Sequence, residues 1–235
     1  MTTRSRRDQL RDNLNRTRED LAAACAAAGR SPDAVRLIAV TKTFPAADAA
    51  ALVELGQTDL GENRDQEAAP KAAALAAAGL EPVWHFVGQL QRNKAKSVAA
   101  YAHWVHSVDR APLANALSAA AKAHGRNLNA LIQVSLDGDT ARGGTPVPDV
   151  EALAEAIAAA PALTLKGVMA VAPLGWEPAK AFALLAECSE AVRRVDPAAR
   201  EVSAGMSGDY RIAVQAGATM VRLGRNVLGE REPMA

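Results

Sequence analysis

The chain has 235 residues, and 49% of them are hydrophobic while only 3% are aromatic, so its apolar content is mostly alanine and aliphatic side chains. A formal net charge of +1 and a pI of about 7.8 exclude the strongly basic field that favours nucleic acid as a partner. No apolar run reaches membrane-spanning length, and no apolar segment follows the basic first residues. We therefore expect a cytoplasmic protein with no secretory signal and no membrane partner.

Short β-like runs alternate with longer alanine-rich helical stretches. A first helix over about residues 4–29 precedes the first strand and ends at Gly29 and the Ser31-Pro32 pair. Eight strands follow, at residues 36–41, 58–61, 83–87, 104–108, 131–135, 165–171, 201–203 and 219–223. The helices between them are predicted near residues 46–55, 64–78, 91–101, 111–124, 148–159, 177–195 and 207–216.

This strand and helix count predicts the fold class α/β, as a TIM-type (β/α)8 barrel with an extra N-terminal helix. No linker-like segment divides the series, so we expect one domain over residues 1–235. An open doubly wound sheet is the competing architecture. It normally carries a glycine loop after its first strand, whereas this chain has Thr41-Lys42-Thr43 there.

No side chains are spaced like metal ligands. Cys25 and Cys188 lie far apart in helix-like surroundings, and we expect both to be free thiols. His103, His106 and His124 show no metal spacing either. We predict no metal site.

Lys42 directly follows the first predicted strand. Strand alternation places Ile38, Val40 and Lys42 on one face. If that face points into the barrel, the lysine reaches the C-terminal mouth above an apolar floor, where desolvation disfavours the ammonium form. A neutral amine attacks an aldehyde to form a Schiff base. The alternative is an ordinary surface lysine after a strand.

Two glycine-bearing turns near the C-terminal end have the pattern of a phosphate cradle. Ser203-Ala-Gly-Met-Ser-Gly208 follows the seventh predicted strand and leads into the next helix, and Gly224-Arg-Asn226 opens a final short helix after the eighth. The loops after these two strands form the recurrent phosphate site of this barrel class, and Ser203 or Ser207 offers a hydroxyl. Either turn alone also resembles a helix cap. Together with an amine, they indicate pyridoxal 5'-phosphate as the ligand.

Three further side chains are candidates for the same pocket. Arg222 shares its strand face with Gly224; an arginine beside the pyridine nitrogen leaves that nitrogen unprotonated, and the alternative is a salt-bridged barrel arginine. Asn63 follows the second strand and is a candidate contact for the ring or its hydroxyl. His85 has the phase of a lumen-facing residue, either as a cofactor contact or as a core histidine with structural hydrogen bonds.

Six motifs occur in order along the chain: Val40-Thr-Lys-Thr-Phe-Pro45, Gly61-Glu-Asn63, Trp84-His-Phe-Val-Gly-Gln-Leu-Gln-Arg-Asn-Lys94, Gly167-Val-Met-Ala170, Gly205-Met-Ser-Gly-Asp209 and Met220-Val-Arg-Leu-Gly224. On these motifs the sequence resembles, from about residue 8 to 231, the pyridoxal phosphate homeostasis proteins (the YggS/PROSC-like family). The resemblance implies a barrel like the N-terminal domain of alanine racemase, with pyridoxal 5'-phosphate held as an aldimine on Lys42. The residues and the resemblance together give these candidate cofactor-binding residues: Lys42, Asn63, His85, Met169, Ser203, Ser207, Gly208, Arg222, Gly224 and Arg225.

The resemblance also implies a function. Members of this family bind and buffer pyridoxal phosphate and affect vitamin B6 and amino-acid homeostasis, without a firmly established catalytic activity. We therefore expect a monomeric cofactor-binding protein with no dedicated reaction and no catalytic residues, for which pyridoxal phosphate-dependent apo-enzymes are candidate partners.

Two alternatives stay open. A small pyridoxal phosphate-dependent amino-acid racemase needs a second acid/base opposite Lys42, which racemases of this fold take as a tyrosine from an extra β-domain. This chain has only Tyr101 and Tyr210, and Tyr210 is near the phosphate turn. A barrel that binds another phosphorylated metabolite would use Lys42 as a plain charge.

Overall fold

A computed structural model describes residues 5–230. The strands are β1 (Arg36–Val40), β2 (Asp59–Glu62), β3 (Val83–Phe86), β4 (Trp104–Val108), β5 (Leu128–Ser135), β6 (Thr145–Pro146), β7 (Leu163–Met169), β8 (Glu201–Ser203) and β9 (Met220–Leu223). The α-helices are α1 (Arg6–Ala27), α2 (Ala46–Glu54), α3 (Asp65–Ala77), α4 (Ala95–Tyr101), α5 (Ala111–Ala123), α6 (Val150–Ala158), α7 (Pro178–Val195), α8 (Tyr210–Gln215) and α9 (Arg225–Leu228). Single 3-10 turns lie at Pro32–Ala34, Arg92–Lys94, Thr140–Arg142 and Val147–Asp149.

Eight of these strands close into a parallel barrel. Their order around the ring is β4-β3-β2-β1-β9-β8-β7-β5, and the pairing of β4 with β5 completes it. The two-residue strand β6 pairs with β5 outside the ring. The predicted TIM-type barrel with an extra N-terminal helix is confirmed, and every predicted strand overlaps a barrel strand. The domain limits of 1–235 extend past the described residues and stay a prediction.

The barrel has an inner and an outer apolar layer. Inside, Ile38 packs in one cluster with Trp104, Leu131, Met169 and Met220. The neighbouring residues of β1, which point the other way, pack in the cluster that includes α1 and α2. Because side chains alternate along a strand, the face of Ile38 continues to Val40 and Lys42. The predicted inward face of β1 is therefore confirmed.

Helix α1 lies across the outside of the barrel and covers its last helix. Ser5 caps the helix by accepting from the N–H of Asp8 at 3.2 Å. Its buried residues include Leu10, Leu14 and Leu21, which pack in the outer cluster on the side of β1 and β9. The hydroxyl of Thr17 donates to the carbonyl of Asn226 at 3.2 Å, so α1 also contacts the backbone of α9.

The helix after β8 begins later than the sequence predicts. Residues 207–209 form a turn, and α8 starts at Tyr210 instead of residue 207. Asp209 Oδ1 accepts from the N–H of Met206 at 2.6 Å and thereby closes this turn. Gly205 has φ +91°, and a Cβ there would lie 2.7 Å from the Cα of Tyr210. The glycine thus lets the turn pack directly on the first residue of α8.

Candidate functional site

A cavity of about 720 Å³ opens at the C-terminal ends of the barrel strands. This is the end at which barrels of this type carry their functional loops. The cavity is lined by Val40, Lys42, Phe44, Asn63, Val87, Val171, Met206, Ser207, Gly208, Asp209, Arg222, Gly224, Arg225, Gly229 and Glu230. We call it the mouth cavity.

Lys42 enters the mouth cavity from a tight turn. The carbonyl of Thr41 accepts from the N–H of Phe44 at 3.1 Å, which makes Lys42 the second residue of a β-turn. Thr43, the third residue, has φ +68°. The turn ends β1 abruptly and leaves the half-buried Lys42 side chain at the cavity wall.

Asn63 lies beside Lys42 because β1 and β2 pair in parallel, with Val40 opposite Gly61. Its side-chain oxygen Oδ1 is buried and has no hydrogen-bond partner among the described residues. Gly88, after β3, packs so closely that a Cβ would lie 2.0 Å from the carbonyl oxygen of Asn63. The site therefore holds a buried acceptor, fixed by its neighbour, that lacks a donor within the described part of the chain.

The two glycine turns meet beside β1 on the edge away from Asn63, because β9 pairs with β1 opposite β2. Ser207 and Gly208 come from the turn after β8, and Gly224 and Arg225 from the junction of β9 and α9. The first N–H groups of any helix have no intrahelical acceptor, and those of α9 start at Arg225. A Cβ on Gly208 would meet no atom within 4 Å, so the cavity is open above this turn. The arrangement suits an anion such as a phosphate.

Arg222 forms the floor of the mouth cavity and is held by main-chain and hydroxyl oxygens. It donates to the carbonyl of Ser203 at 2.7 Å, to Ser203 Oγ at 2.7 Å and to the carbonyl of Ala170 at 2.9 Å. These contacts use three of its five N–H groups. Burial lowers the pKa of Arg222 to about 10, and the charge of Asp209 opposes that shift. The guanidinium therefore stays protonated at neutral pH.

A chain of hydrogen bonds connects Arg222 to the opposite end of the barrel. Ser203 Oγ and His106 Nδ1 are 2.9 Å apart, His106 Nε2 and His85 Nδ1 are 2.9 Å apart, and His85 Nε2 and Asp59 Oδ1 are 2.9 Å apart. A carboxylate only accepts, so His85 Nε2 donates to Asp59, and with one proton on each ring every link runs from Arg222 toward Asp59. The neutral form of each imidazole is therefore the tautomer protonated on Nε2.

Burial lowers the pKa of both histidines in this chain. For His85, desolvation is the largest cause and the hydrogen bond to Asp59 opposes it. For His106 the desolvation is reinforced by the charges of His85, Arg222 and Arg36, and its pKa falls well below the usual value. Both rings are neutral at physiological pH, in agreement with the direction of the hydrogen bonds.

The structure brings seven of the ten candidate residues together at the mouth cavity: Lys42, Asn63, Ser207, Gly208, Arg222, Gly224 and Arg225. The other three lie deeper in the barrel interior. Ser203 and His85 belong to the hydrogen-bond chain, and Met169 packs in the inner apolar cluster. These three residues support the floor of the cavity and do not line it.

Several residues of the site were not found by sequence reasoning. Phe44, Val87, Val171, Met206 and Asp209 also line the mouth cavity. Each lies at or just beyond the C-terminal end of a barrel strand, and that placement was a usable signal. His106 has the same phase as Trp104 on β4, so the alternation that placed His85 in the lumen applies to it equally.

A second cavity, of about 740 Å³, lies at the N-terminal ends of the strands, where Arg36 and Asp59 are among its lining residues. It lacks the glycine turns and the lysine of the mouth cavity. Within residues 5–230 no group of three or more histidine, cysteine, aspartate or glutamate side chains has the arrangement of a metal site. No helix in that range is long and apolar enough to cross a membrane.

The comparisons with known proteins agree with this geometry. The family described as alanine racemase, N-terminal domain, matches residues 7–232. A protein of Mycobacterium tuberculosis (strain H37Rv) named pyridoxal phosphate homeostasis protein is 42% identical over 96% of this chain and 94% of its own length. The chain belongs to the pyridoxal phosphate homeostasis protein family. The resemblance found in the motifs is thereby confirmed.

Solved structures extend this assignment. PipY of Synechococcus elongatus PCC7942, solved with PLP bound, matches this family member with a TM-score of 0.82 and 33% identity, over 94% of this chain and 100% of PipY. Alanine racemase of Corynebacterium glutamicum matches with a TM-score of 0.69 over 94% of this chain and 60% of the racemase. At 16% identity, that second likeness shows a shared barrel fold alone.

Proposed function

We propose that this family member binds pyridoxal 5'-phosphate in the mouth cavity as a Schiff base on Lys42, and that it acts in PLP and amino-acid homeostasis without a dedicated reaction. The observation that carries the proposal is the convergence of Lys42 and the two glycine turns on one cavity. PipY, with PLP bound in its structure, supports it independently. Cytoplasmic location, a monomeric state and transfer to apo-enzymes are parts of the same proposal.

The chemistry of the cavity fits the cofactor. Backbone N–H groups at Ser207, Gly208 and Arg225 suit its phosphate. The unpartnered Oδ1 of Asn63 suits a donor on its ring. Arg222 presents a protonated guanidinium toward the cavity, and a permanent donor suits an unprotonated pyridine nitrogen. When bound, the cofactor supplies the aldehyde that the Lys42 amine attacks.

The positions of the two tyrosines favour a binding role over racemisation. Tyr210 is buried in the outer cluster, on the side of α8 that faces α1. Tyr101 lies on α4, outside the barrel, and its hydroxyl is 3.5 Å from Asp65. Neither lines the mouth cavity. Among residues 5–230, then, no tyrosine stands opposite Lys42 as a second acid/base.

The deciding experiment is borohydride reduction in the presence of PLP, followed by mass spectrometry. Hydride adds to the imine carbon and leaves a stable secondary amine, so the cofactor mass should appear on the peptide that contains Lys42. K42A should lose the label and the visible absorbance while keeping its melting temperature. K122A removes an exposed lysine on α5 and should keep both the label on Lys42 and the visible absorbance. If the reduced wild-type protein carries no cofactor mass on Lys42, the proposal is wrong.

The same samples separate the two alternatives. A barrel that binds another phosphorylated metabolite, with Lys42 as a plain charge, gives no absorbance and no adduct. A racemase turns over alanine or serine at the order of 1–1,000 per second that is usual for enzymes. We expect turnover to be absent or trace, which chiral chromatography of the incubated amino acids would measure.

A further inference from the structure

The two backbone groups on either side of Lys42 are both bonded to one helix. The carbonyl of Thr41 accepts from Lys71 Nζ at 2.8 Å. The N–H of Thr43 donates to Glu67 Oε2 at 2.9 Å. Residues 67 and 71 are four apart on α3, so they lie one above the other on the same face of the helix. They contact the turn that bears Lys42 at its first and third residues.

The contact of Lys71 with the Thr41 carbonyl is buried and also involves Glu62 of β2. Lys71 pairs with Glu62 Oε1, and the hydroxyl of Thr41 donates to the same oxygen at 2.6 Å. Lys71 and Glu62 are 6% and 1% exposed, so this pair is anchored in the interior. A buried pair of this kind adds little net stability but fixes geometry strongly, because neither charge tolerates losing its partner.

The contact of Glu67 is with Thr43, whose backbone is strained. Thr43 is the only described non-glycine residue with positive φ, at +68°. A β-branched residue is an outlier there, and the third position of such a turn normally takes glycine. Conformations of this kind persist only when the surrounding structure enforces them, and they cluster at functional sites. Two side-chain hydrogen bonds within residues 5–230 involve Thr43: its N–H donates to Glu67, and its own hydroxyl donates to the carbonyl of Lys42 at 2.5 Å, so Glu67 is the contact from another element.

We propose that Glu67 and Lys71 are positioning residues, which hold the strained turn so that the amine of Lys42 faces the cofactor aldehyde. This inference rests on the proposed function. Neither residue lines the mouth cavity, so both act through the backbone. Glu67 is the better test, since it is half-buried and its removal leaves the Glu62–Lys71 pair intact.

The experiment compares E67A, E67Q and E67D with the wild type. In E67Q the amide oxygen accepts the same N–H. In E67D the charge stays but the shorter side chain no longer reaches Thr43. We expect E67A and E67D to bind PLP roughly tenfold more weakly than wild type, a change of about 1.4 kcal/mol, and E67Q to stay within about threefold, as absorbance titration would measure. Q66A, an exposed neighbour on α3, is the matched control and should not change binding.

A second readout needs no cofactor. Hydrogen exchange of the Thr43 amide should be about tenfold faster in E67A and E67D than in wild type, Q66A or E67Q. Equal exchange rates, or an E67A that binds PLP as tightly as E67Q, overturn the inference while the proposed function stands. If the wild type carries no label on Lys42, the proposed function fails instead, and the exchange rates still decide whether Glu67 holds the turn.

Discussion

His85 and His106 are the fully buried histidines through which pH should act on this fold, and His103, whose pKa burial also lowers, should add to the same effect. The first two are 1% and 0% exposed, and the charged groups around them are Asp59, Arg36, Arg222 and Glu201. Burial lowers the pKa of each folded-state imidazole, while a histidine in the unfolded chain titrates near about 6.5. Below that pH the unfolded state binds more protons than the folded state. Their contribution to stability is therefore present above about pH 6.5 and lost as the pH falls.

The expected result is a free energy of unfolding that decreases from about pH 6.5 downward, by up to about 1.4 kcal/mol per pH unit for each histidine. H106Q should lower stability at pH 7.5 but flatten this slope. H124Q removes an exposed histidine on the outside of the barrel and should keep the wild-type slope. Urea denaturation between pH 5 and 8, in steps of about half a unit, measures all three proteins. A slope that H106Q leaves unchanged would show that these histidines do not carry the effect.

For single residues, the sequence predicts whether a side chain points into the barrel better than it predicts the height of that side chain along the barrel axis. Alternation along β1 and β9 correctly assigned Lys42 and Arg222 to the inner face. The same alternation gave His85 the right face, but it contains no information on its height in the barrel, and the motif that suggested Met169 contains none on that residue's height either. Ser203 was a candidate hydroxyl for the phosphate, whereas in the structure it bonds Arg222 and His106. Height depends on how far each strand is shifted against its neighbours, which only the register shows.

Among the connecting elements, the turn between β8 and α8 contains two glycines whose backbone requirements differ. Gly205 combines φ +91° with close packing on Tyr210 and Ala213, whereas a Cβ on Gly208, three residues later, would meet no atom within 4 Å. The two glycines look alike in sequence and differ in environment. The first is required by the fold, and the second leaves room for a ligand.

G205A should lower the free energy of unfolding by about 1–3 kcal/mol, because the added methyl group clashes with the backbone of α8. G208A should change it by less than about 1 kcal/mol. Thermal and urea unfolding of the cofactor-free proteins provide the comparison. Equal losses in the two variants would mean that the turn is equally constrained at both positions.

Element types and order were predictable because the alternating pattern is regular and the strands are strongly apolar. The boundaries of α8 were not, since Ser207 and Gly208 resemble a helix start while the Asp209–Met206 bond makes them a turn. The contacts of α3 with the Lys42 turn were not found either. They join residues 24 positions apart for Thr43 and Glu67 and 30 apart for Thr41 and Lys71, and no local pattern indicates such a pairing.

Across the whole molecule, α1, the first described helix, is connected to the last one, α9. Arg6 pairs with Asp48 of α2 and donates to the carbonyl of Leu228 at 3.0 Å, and Thr17 reaches Asn226. Leu14 is 1% exposed between these contacts. The helix thereby supports α9, whose first residue, Arg225, lines the mouth cavity. Its presence was predictable, but its docking against α9 was not, because an added helix has no position in the barrel repeat.

L14A should lower the free energy of unfolding by about 2–5 kcal/mol, the usual loss when a buried leucine is truncated. R16A, an exposed change on the same helix, should stay within about 0.5 kcal/mol. We also expect L14A to weaken PLP binding more than R16A does, since α9 loses part of its support. Denaturation curves and absorbance titrations of both variants test this. If L14A is as stable as the wild type, α1 does not support the barrel in the way described.

The one-way hydrogen-bond chain also has a spectroscopic consequence. Its two imidazole N–H protons, on Nε2 of His85 and of His106, are each held between heavy atoms 2.9 Å apart in a buried lumen. Protons sheltered in this way exchange slowly and give separate downfield lines in a proton NMR spectrum. Asp59 lines the cavity at one end of the barrel and Arg222 the cavity at the other. The two N–H resonances should therefore shift when a ligand binds in either cavity, so binding can be followed by NMR without an attached label.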